Sequence, residues 1–392
     1  MVSGKDTEAT MDRKLKYGMV GGGRDAFIGG VHRRAAVVDG FTDFVAGALS
    51  STPEKAKASG QDLLLADDRN YESWQEMLEK ESARPEGDRI DYVSIVTPNH
   101  VHFEQAHAFI NAGFNVIMDK PMVHTSEQAQ QLIEAVEKQG VVFGLTHNYT
   151  GYPMVKAGRA MIADGKIGTV QRIVVEYPQG WLLSQIEAEG QKQAEWRTDP
   201  ARSGIAGAVG DIGSHAENLV SYMTGLEIEA LNADLNTFVP GRRLDDDASV
   251  LLRFANGARG ILWCSQICAG EENGLNIRIY GTEGSLYWQQ ENPNYLYLTH
   301  PDGRTEVLKR GGDLGAAAER ASMLPPGHPE AFFDAFANIY LNFSDTVRAK
   351  IVGREPTELE LDFPTVYDGA RGVKFIEKVV ESGKSDKKWI DF

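Results

Sequence analysis

The sequence predicts an α/β half built on a parallel sheet, followed by an α+β half built on a largely antiparallel sheet. Two observations carry that division. From residue 14 to 148 short apolar runs alternate with longer helical stretches, and after residue 152 strand-like segments follow one another across tight turns. The 392 residues, 42% hydrophobic and 24% charged, suffice for two or three domains with a sizeable core and exclude disorder or a coiled coil as the main organisation.

The first half reads as strand 16–20, a glycine cluster and a helix; strand 44–49 and a helix opening at Pro53; strand 90–96 and helix 101–112; strand 115–118 and helix 126–140; and strand 141–145. Strands separated by helices at this rhythm make βαβ units with right-handed crossovers. The second half opens with helix 152–164, then strands 169–177, 227–238, 248–254, 258–267, 275–280, 285–289 and 295–299. Asn256-Gly257 and Glu283-Gly284 mark hairpin turns between them. Residues 302–326 read as loop with a helical piece, and helices return at 329–352 and 365–382. The chain contains no internal repeat.

Forty Lys+Arg against 56 Asp+Glu give a net charge of −16, a field that repels phosphate backbones and anionic lipid, so nucleic acid and membrane are excluded as expected partners. The two cysteines, Cys264 and Cys268, fall in one strand-like run. At about 3.3 Å per residue their Cα atoms lie roughly 13 Å apart, too far for a disulfide. They are expected as two reduced, buried thiols in a reducing compartment, and no Cys/His cluster completes a metal ligand set. Residues 1–13 read as a loose, polar extension unlike a signal peptide, which points to a cytoplasmic protein.

Gly21-Gly-Gly-Arg-Asp-Ala26 follows the first strand with the spacing G-x-G-x-x-A. Gly21 permits the tight turn, Gly23 lets the backbone approach a pyrophosphate, and the small Ala26 allows close helix packing, with Arg24 in the same loop. The second strand's tip should read the ribose. It offers Ser50 and Ser51 where an acid would reject a 2′-phosphate, and Lys55 is either a phosphate partner or an ordinary solvated lysine. The expected cofactor is therefore NAD or NADP. Thr97-Pro-Asn-His-Val-His102 and Asp119-Lys-Pro121 lie past the carboxyl ends of two later strands, where open α/β sheets bind ligands. Thr97, Asn99, His102, Asp119 and Lys120 are candidate cofactor contacts, and Lys120 can also stabilise developing oxyanion charge.

These motifs, together with Gly210-Asp-Ile-Gly-Ser-His215, resemble the glucose-fructose oxidoreductase / inositol dehydrogenase (Gfo/Idh/MocA) family in order and spacing over nearly the whole chain. The resemblance implies a Rossmann domain over 14–148 and, over 149–392, a substrate-binding and oligomerisation domain with a large, mostly antiparallel open sheet. Its last helix would pack back on the first domain. It also implies NAD(P)-dependent sugar or polyol oxidation, a homodimer or homotetramer, and Lys120, Asp211 and His215 as the catalytic triplet. One departure is conservative: Asp119-Lys120-Pro121 replaces the family's Glu-Lys-Pro.

The chemistry is legible in the residues as well. If Asp211 opens a helix, His215 lies one turn on along the same face, and a histidine suits proton exchange near neutral pH. Tyr177, Trp181, Trp196 and Arg197 offer aromatic planes and bidentate donors suited to sugar faces and vicinal hydroxyls. His100 and His102 are placed at the cofactor rim, while His32, His107, His124 and His300 read as structural or solvated. The expected function is hydride transfer between nicotinamide and a secondary alcohol or ketone of a sugar, glycoside or cyclitol. The alternatives are an NAD-dependent glycoside hydrolase acting by oxidation and elimination, and a non-catalytic NAD(P)-binding regulator.

Overall fold

A computed structural model describes residues 11–392. The expected N-terminal extension lies outside the described residues up to residue 10, and Arg13 at its end is bound to Asp91 at 2.7 Å.

Strands β1 (Leu15–Gly21), β2 (Thr42–Ala48), β3 (Tyr92–Val96), β4 (Asn115–Met118) and β5 (Phe143–Leu145) form a parallel sheet in the order β2-β1-β3-β4-β5. β3 is buried along its whole length, as a strand covered on both faces must be. The crossovers carry α1 (Phe27–Ala36), α2 (Pro53–Asp62), α3 (Trp74–Ala83), α4 (His102–Asn111) and α5 (Ser126–Gln139). α3 was missed in the sequence although it has a start signal: Ser73 accepts a hydrogen bond from the Glu76 amide. Register sets the site. Gly21 pairs with Val96, and Met118 pairs with both Ile95 and Leu145, so the glycine loop, the Thr97 loop, Asp119-Lys120 and Thr146-His147 emerge side by side.

After α6 (Pro153–Ala163) comes β6 (Val170–Pro178), then the short helices α7 (Lys192–Arg197) and α8 (Pro200–Ser203), then α9 (Ser214–Thr224). The remaining strands are β7 (Ile228–Asn236), β8 (Asp247–Phe254), β9 (Arg259–Ser265), β10 (Asn276–Gly281), β11 (Ser285–Gln289), β12 (Tyr295–Thr299), β13 (Thr305–Lys309) and β14 (Ile390–Asp391). With β6 they form a nine-stranded sheet, β13-β12-β11-β10-β6-β9-β8-β7-β14, in which β6 and β9 pair parallel and the other neighbours antiparallel. β13 corrects the reading of 302–326 as loop with a helical piece; the helical piece is α10 (Ala316–Arg320). As an edge strand with almost every side chain in solvent, β13 has no apolar alternation to read.

One face of this sheet packs on α6 and α9, burying Met154, Leu219, Met223 and Trp288 in a single core. The other face carries Leu251, Trp263, Tyr280 and Tyr287, each partly open to solvent. Two long helices tie the halves together. α11 (Phe332–Ile351) lays Phe336, Tyr340 and Phe343 against Tyr17 and Tyr92 of the parallel sheet, with Tyr92 and Phe343 5.2 Å apart between ring centres. α12 (Val366–Gly383) puts Val366 and Val373 into the core beneath β5 and Phe375 and Val379 into the core beneath β7.

The cysteines depart from expectation. β9 ends at Ser265, so only Cys264 is a buried strand residue; Cys268 lies beyond it, half-buried, and both thiols are free. Among the described residues no helix is long and apolar enough to cross a membrane.

Candidate active site

The site is a cleft at the carboxyl ends of the parallel strands, the side of an α/β sheet where ligands bind. Gly21 has φ +79°, and a Cβ there would sit against the Val96 carbonyl and 2.6 Å from the Thr97 methyl, so only glycine fits the turn. The role expected of Ala26 is corrected. Close helix packing falls three residues later, where Gly29 lies against Gly22, and Ala26 is instead the N-cap of α1. An alanine cap accepts no hydrogen bond and no acid stands in the first turn, so among the described residues the amides opening α1 have no side-chain cap. That end of the helix fits a pyrophosphate.

Around the expected ribose position, Ser50 accepts a bond from the Thr52 amide and Ser51 is exposed. The nearby cations are paired with carboxylates. Arg24 is bidentate on Asp62, and Asp25 holds both Lys55 at 3.1 Å and Lys192 of α7 at 3.4 Å. Two further loop residues are committed to protein partners: Thr97 donates to Gln105, and Asn99 donates to the Ser203 carbonyl. His102 is a correction. It is fully buried, with the Pro121 carbonyl 2.9 Å from Nδ1 and the Thr97 carbonyl 2.8 Å from Nε2, so its one N–H donates to one of these two loops and the ring does not reach a cofactor rim. Its neighbour His100 is exposed.

At the centre Lys120 Nζ donates to Asp211 Oδ1 at 3.0 Å, while Asp211 Oδ2 accepts from Arg197 Nε at 3.1 Å and Gln266 Nε2 at 2.8 Å. Burial pushes the Asp211 carboxyl up, but the Arg197 and Lys120 charges and the hydrogen bonds outweigh it and hold the group well below the ordinary value. Asp119 behaves alike. Burial raises it, and His32, Lys120 and His102 bring it down. Asp211 does not open α9 as the spacing suggested: it sits in a wide π turn, Val209–Gly213, that runs directly into that helix. The cap comes from Asp245, whose carboxylate accepts the Gly207 and Val209 amides at 2.7 and 2.8 Å, leaving Asp211 free to face the cleft.

His215, 8% exposed, stands behind this pair with Tyr149 and Tyr177 at ring-centre distances of 4.8 and 6.4 Å. Burial and then the Lys120 charge push its imidazole well below the usual range, so it is neutral at pH 7. The Tyr177 hydroxyl is bonded to Tyr149 and Asn273, making it a buried wall of the cleft. Trp181 and Trp196 flank Arg197, whose guanidinium lies 4.2 Å from the Trp196 ring centre and 5.7 Å from that of Trp181.

Sequence reasoning missed His147, Tyr149, Gln266 and Asn273. A signal existed for two of them, because Thr146-His147-Asn148-Tyr149 stands directly past a parallel strand. The other two occupy loops whose position depends on β6 and β9 pairing, which sets Pro178 beside Ser265. His32 is buried as expected, with Nδ1 2.7 Å from the Tyr340 hydroxyl, and its Nε2 points at Asp119 from 3.8 Å.

Residues 15–147 match the family model described as oxidoreductase family, NAD-binding Rossmann fold, and residues 155–287 match the GFO/IDH/MocA C-terminal domain. The chain is 34% identical to "Uncharacterized oxidoreductase YfiI" of Bacillus subtilis (strain 168), over 98% of each chain. It is 28% identical to the levoglucosan dehydrogenase of Pseudarthrobacter phenanthrenivorans, over 97% of this chain and 98% of that one. In structure it is similar to an inositol dehydrogenase homolog from Azotobacter vinelandii complexed with NAD+, with a TM-score of 0.93, 32% identity, and coverage of 99% of this chain and 100% of that one.

Proposed function

From the premise that the chain belongs to the Gfo/Idh/MocA family, we propose that Lys120, Asp211 and His215 perform its chemistry. The protein is an NAD(P)-dependent oxidoreductase acting between a secondary alcohol and a ketone of a sugar, glycoside or cyclitol. The nicotinamide, when bound, supplies the hydride acceptor or donor. His215 takes the hydroxyl proton, Lys120 donates to the same oxygen as it becomes a carbonyl, and Asp211 holds Lys120 in place. When the cofactor is bound, Gly21, Gly23 and the amides opening α1 would hold its pyrophosphate and Ser50 and Ser51 would meet its ribose. Trp181, Trp196, Arg197 and Tyr177 border the substrate.

The observation that carries this reading is the double occupation of Asp211: its two oxygens bind Lys120 and Arg197 beside a neutral histidine. With both cations bound there, the cleft suits an uncharged polyol better than a sugar phosphate. A panel of inositols, glycosides, aldoses and their phosphates, run with NAD and NADP, should give reduced cofactor on at least one uncharged member. Activity surviving Lys120→Ala and His215→Ala unchanged would falsify the assignment. Free aglycone without net reduced cofactor would move the reading to oxidation and elimination.

The same reading divides the chain into a cofactor domain over 14–148 and a substrate domain over 149–392, and places the protein in the cytoplasm, consistent with its two free thiols. It makes the protein a homodimer or homotetramer joined through the outer face of the nine-stranded sheet. Support comes from Leu251, 44% exposed, and Tyr280, 41% exposed, on that face. Light scattering should show Leu251→Glu/Tyr280→Glu at lower mass than the parent; a parent already at 43.1 kDa would refute it.

A further inference from the structure

His147 and His215 meet from the two halves of the chain, one just past β5 and the other in the first turn of α9. Their Nδ1 atoms are 3.3 Å apart, with the rings nearly perpendicular at 84°. Two nitrogens facing at this distance share one proton, so one ring donates and the other accepts. If His147 donated, neutral His215 would carry its own proton on Nε2 and have no lone pair for a substrate. If His215 donates, its Nε2 is a free base. Among the described residues no hydrogen bond to His215 Nε2 is present, which leaves that nitrogen for the cleft.

We propose that His147 is a positioning residue for the reaction: its Nδ1 accepts the His215 Nδ1–H and so fixes the tautomer whose Nε2 lone pair faces the substrate hydroxyl. This rests on the role given to His215 above. In the proton step the substrate O–H bond breaks and an N–H bond forms at Nε2. The positive charge gained is shared across the Nδ1–H···Nδ1 bond, and the reverse reaction returns the same proton.

The surroundings hold both rings, and among the described residues no other hydrogen-bonding partner reaches either of them. His147 is 2% exposed, and its backbone is anchored by the Leu145 carbonyl at its amide and by Thr150 at its carbonyl. The charged groups facing the pair are Lys120 and Asp119 from the loop after β4, Asp211 from the π turn, and Asp368 and Arg371 from α12. Asp368 is bonded to Arg371 at 2.9 Å and Lys120 to Asp211 at 3.0 Å, and Asp119 accepts from Thr146 at 3.1 Å. None of these hydrogen-bonds either ring, so the two histidines depend on each other for orientation.

The test is the tautomer itself, read from long-range proton–nitrogen spectra of the intact protein with 15N-labelled histidine. His215 should be protonated on Nδ1 and not on Nε2 in the parent, and His147→Leu should populate the Nε2–H form. In kinetics His147→Leu should lower kcat about 10- to 100-fold with little change in KM, the scale of losing a partner that orients a histidine. His147→Asn, whose Oδ1 still accepts from Nδ1–H, should recover most of that loss. An Nε2–H tautomer in the parent, an unchanged kcat in the leucine variant, or an asparagine variant as impaired as leucine would each overturn the proposal. Should the leucine variant fail to fold, the parent spectrum and the asparagine variant still decide. A parent that oxidises no polyol would defeat the dehydrogenase reading instead, and the spectrum would remain a test of the pair.

Discussion

Arg197 Nε stands 3.1 Å from Asp211 Oδ2, so a six-residue helix that touches the glycine loop through Lys192 also holds the carboxylate that holds Lys120. The guanidinium is stacked on Trp196, and a lysine can supply the charge but not the flat surface or the forked donors. Arg197→Lys should therefore lower kcat/KM by about 10- to 100-fold, the scale of one charged hydrogen bond, with the melting temperature nearly unchanged. Steady-state kinetics beside a thermal melt checks this; a large loss of melting temperature would make Arg197 a folding residue.

Asp245 tests whether the π turn must be capped from outside. Its carboxylate accepts two amides of the turn carrying Asp211 and is buried. Asp245→Ala should cost about 1–2 kcal/mol of stability, as lost helix caps do, and should lower kcat because Asp211 loses its setting. Urea unfolding and kinetics on one preparation separate the effects. A variant destabilised yet fully active would show that Asp211 is placed by Lys120 and Arg197 alone.

Cofactor choice should be weak. With serines at the strand tip and the neighbouring cations paired, NAD and NADP should bind within about 1.4–3 kcal/mol of each other, roughly a 10- to 150-fold ratio. Ser50→Asp should weaken NADP selectively, since a carboxylate repels the phosphate and still accepts from ribose hydroxyls. Asp62→Asn, which releases the exposed Arg24, should improve NADP binding about two- to fivefold at low salt and less at high salt. Fluorescence titration of both reduced cofactors reads all three. Equal losses for Ser50→Asp would place that serine away from the ribose.

Stability should fall as pH drops below the ordinary imidazole range. His147 is pushed down to about 3 by burial and then by Lys120, and burial lowers His215 and His102 too. Above about 6.5, the unfolded-state value, these rings are neutral in both states and contribute no slope. Between about 6.5 and 3 the unfolded chain binds protons that the native state refuses, so stability is lost as pH falls through that window. Melting temperatures from pH 8 to 4 should show it, and His147→Asn should flatten part of the slope. A parent curve flat over that window would mean that these rings charge in the folded protein.

The parallel half was readable because its strands are short, mostly apolar runs, β3 and β5 buried throughout, with the motif residues at their ends. What escaped the sequence depends on partners far along the chain. His102 stands in a loop motif and looked available, yet it is buried with the Pro121 and Thr97 carbonyls against its two nitrogens. Asp211 looked like a cap because Asp245, which supplies the cap, lies 34 residues further on. His147 has only its place after a strand to mark it, and its partner is 68 residues away. Gly29 was passed over for Ala26 because the spacing rule points to the third small residue, whereas the helix approaches the loop one turn deeper.

The packing of α11 on the parallel sheet has a consequence for the order in which the chain is made. Tyr17 and Tyr92 are made well before Phe336, Tyr340 and Phe343, which cover them. At about 5–20 residues per second, roughly 200 residues separate the end of β5 from the end of α11, an interval of about 10–40 s. Throughout it the first five strands have an uncovered aromatic face. The nascent first half is thus the species most in need of a chaperone, and a chain truncated before residue 332 should be found in aggregates rather than as a working cofactor-binding fragment.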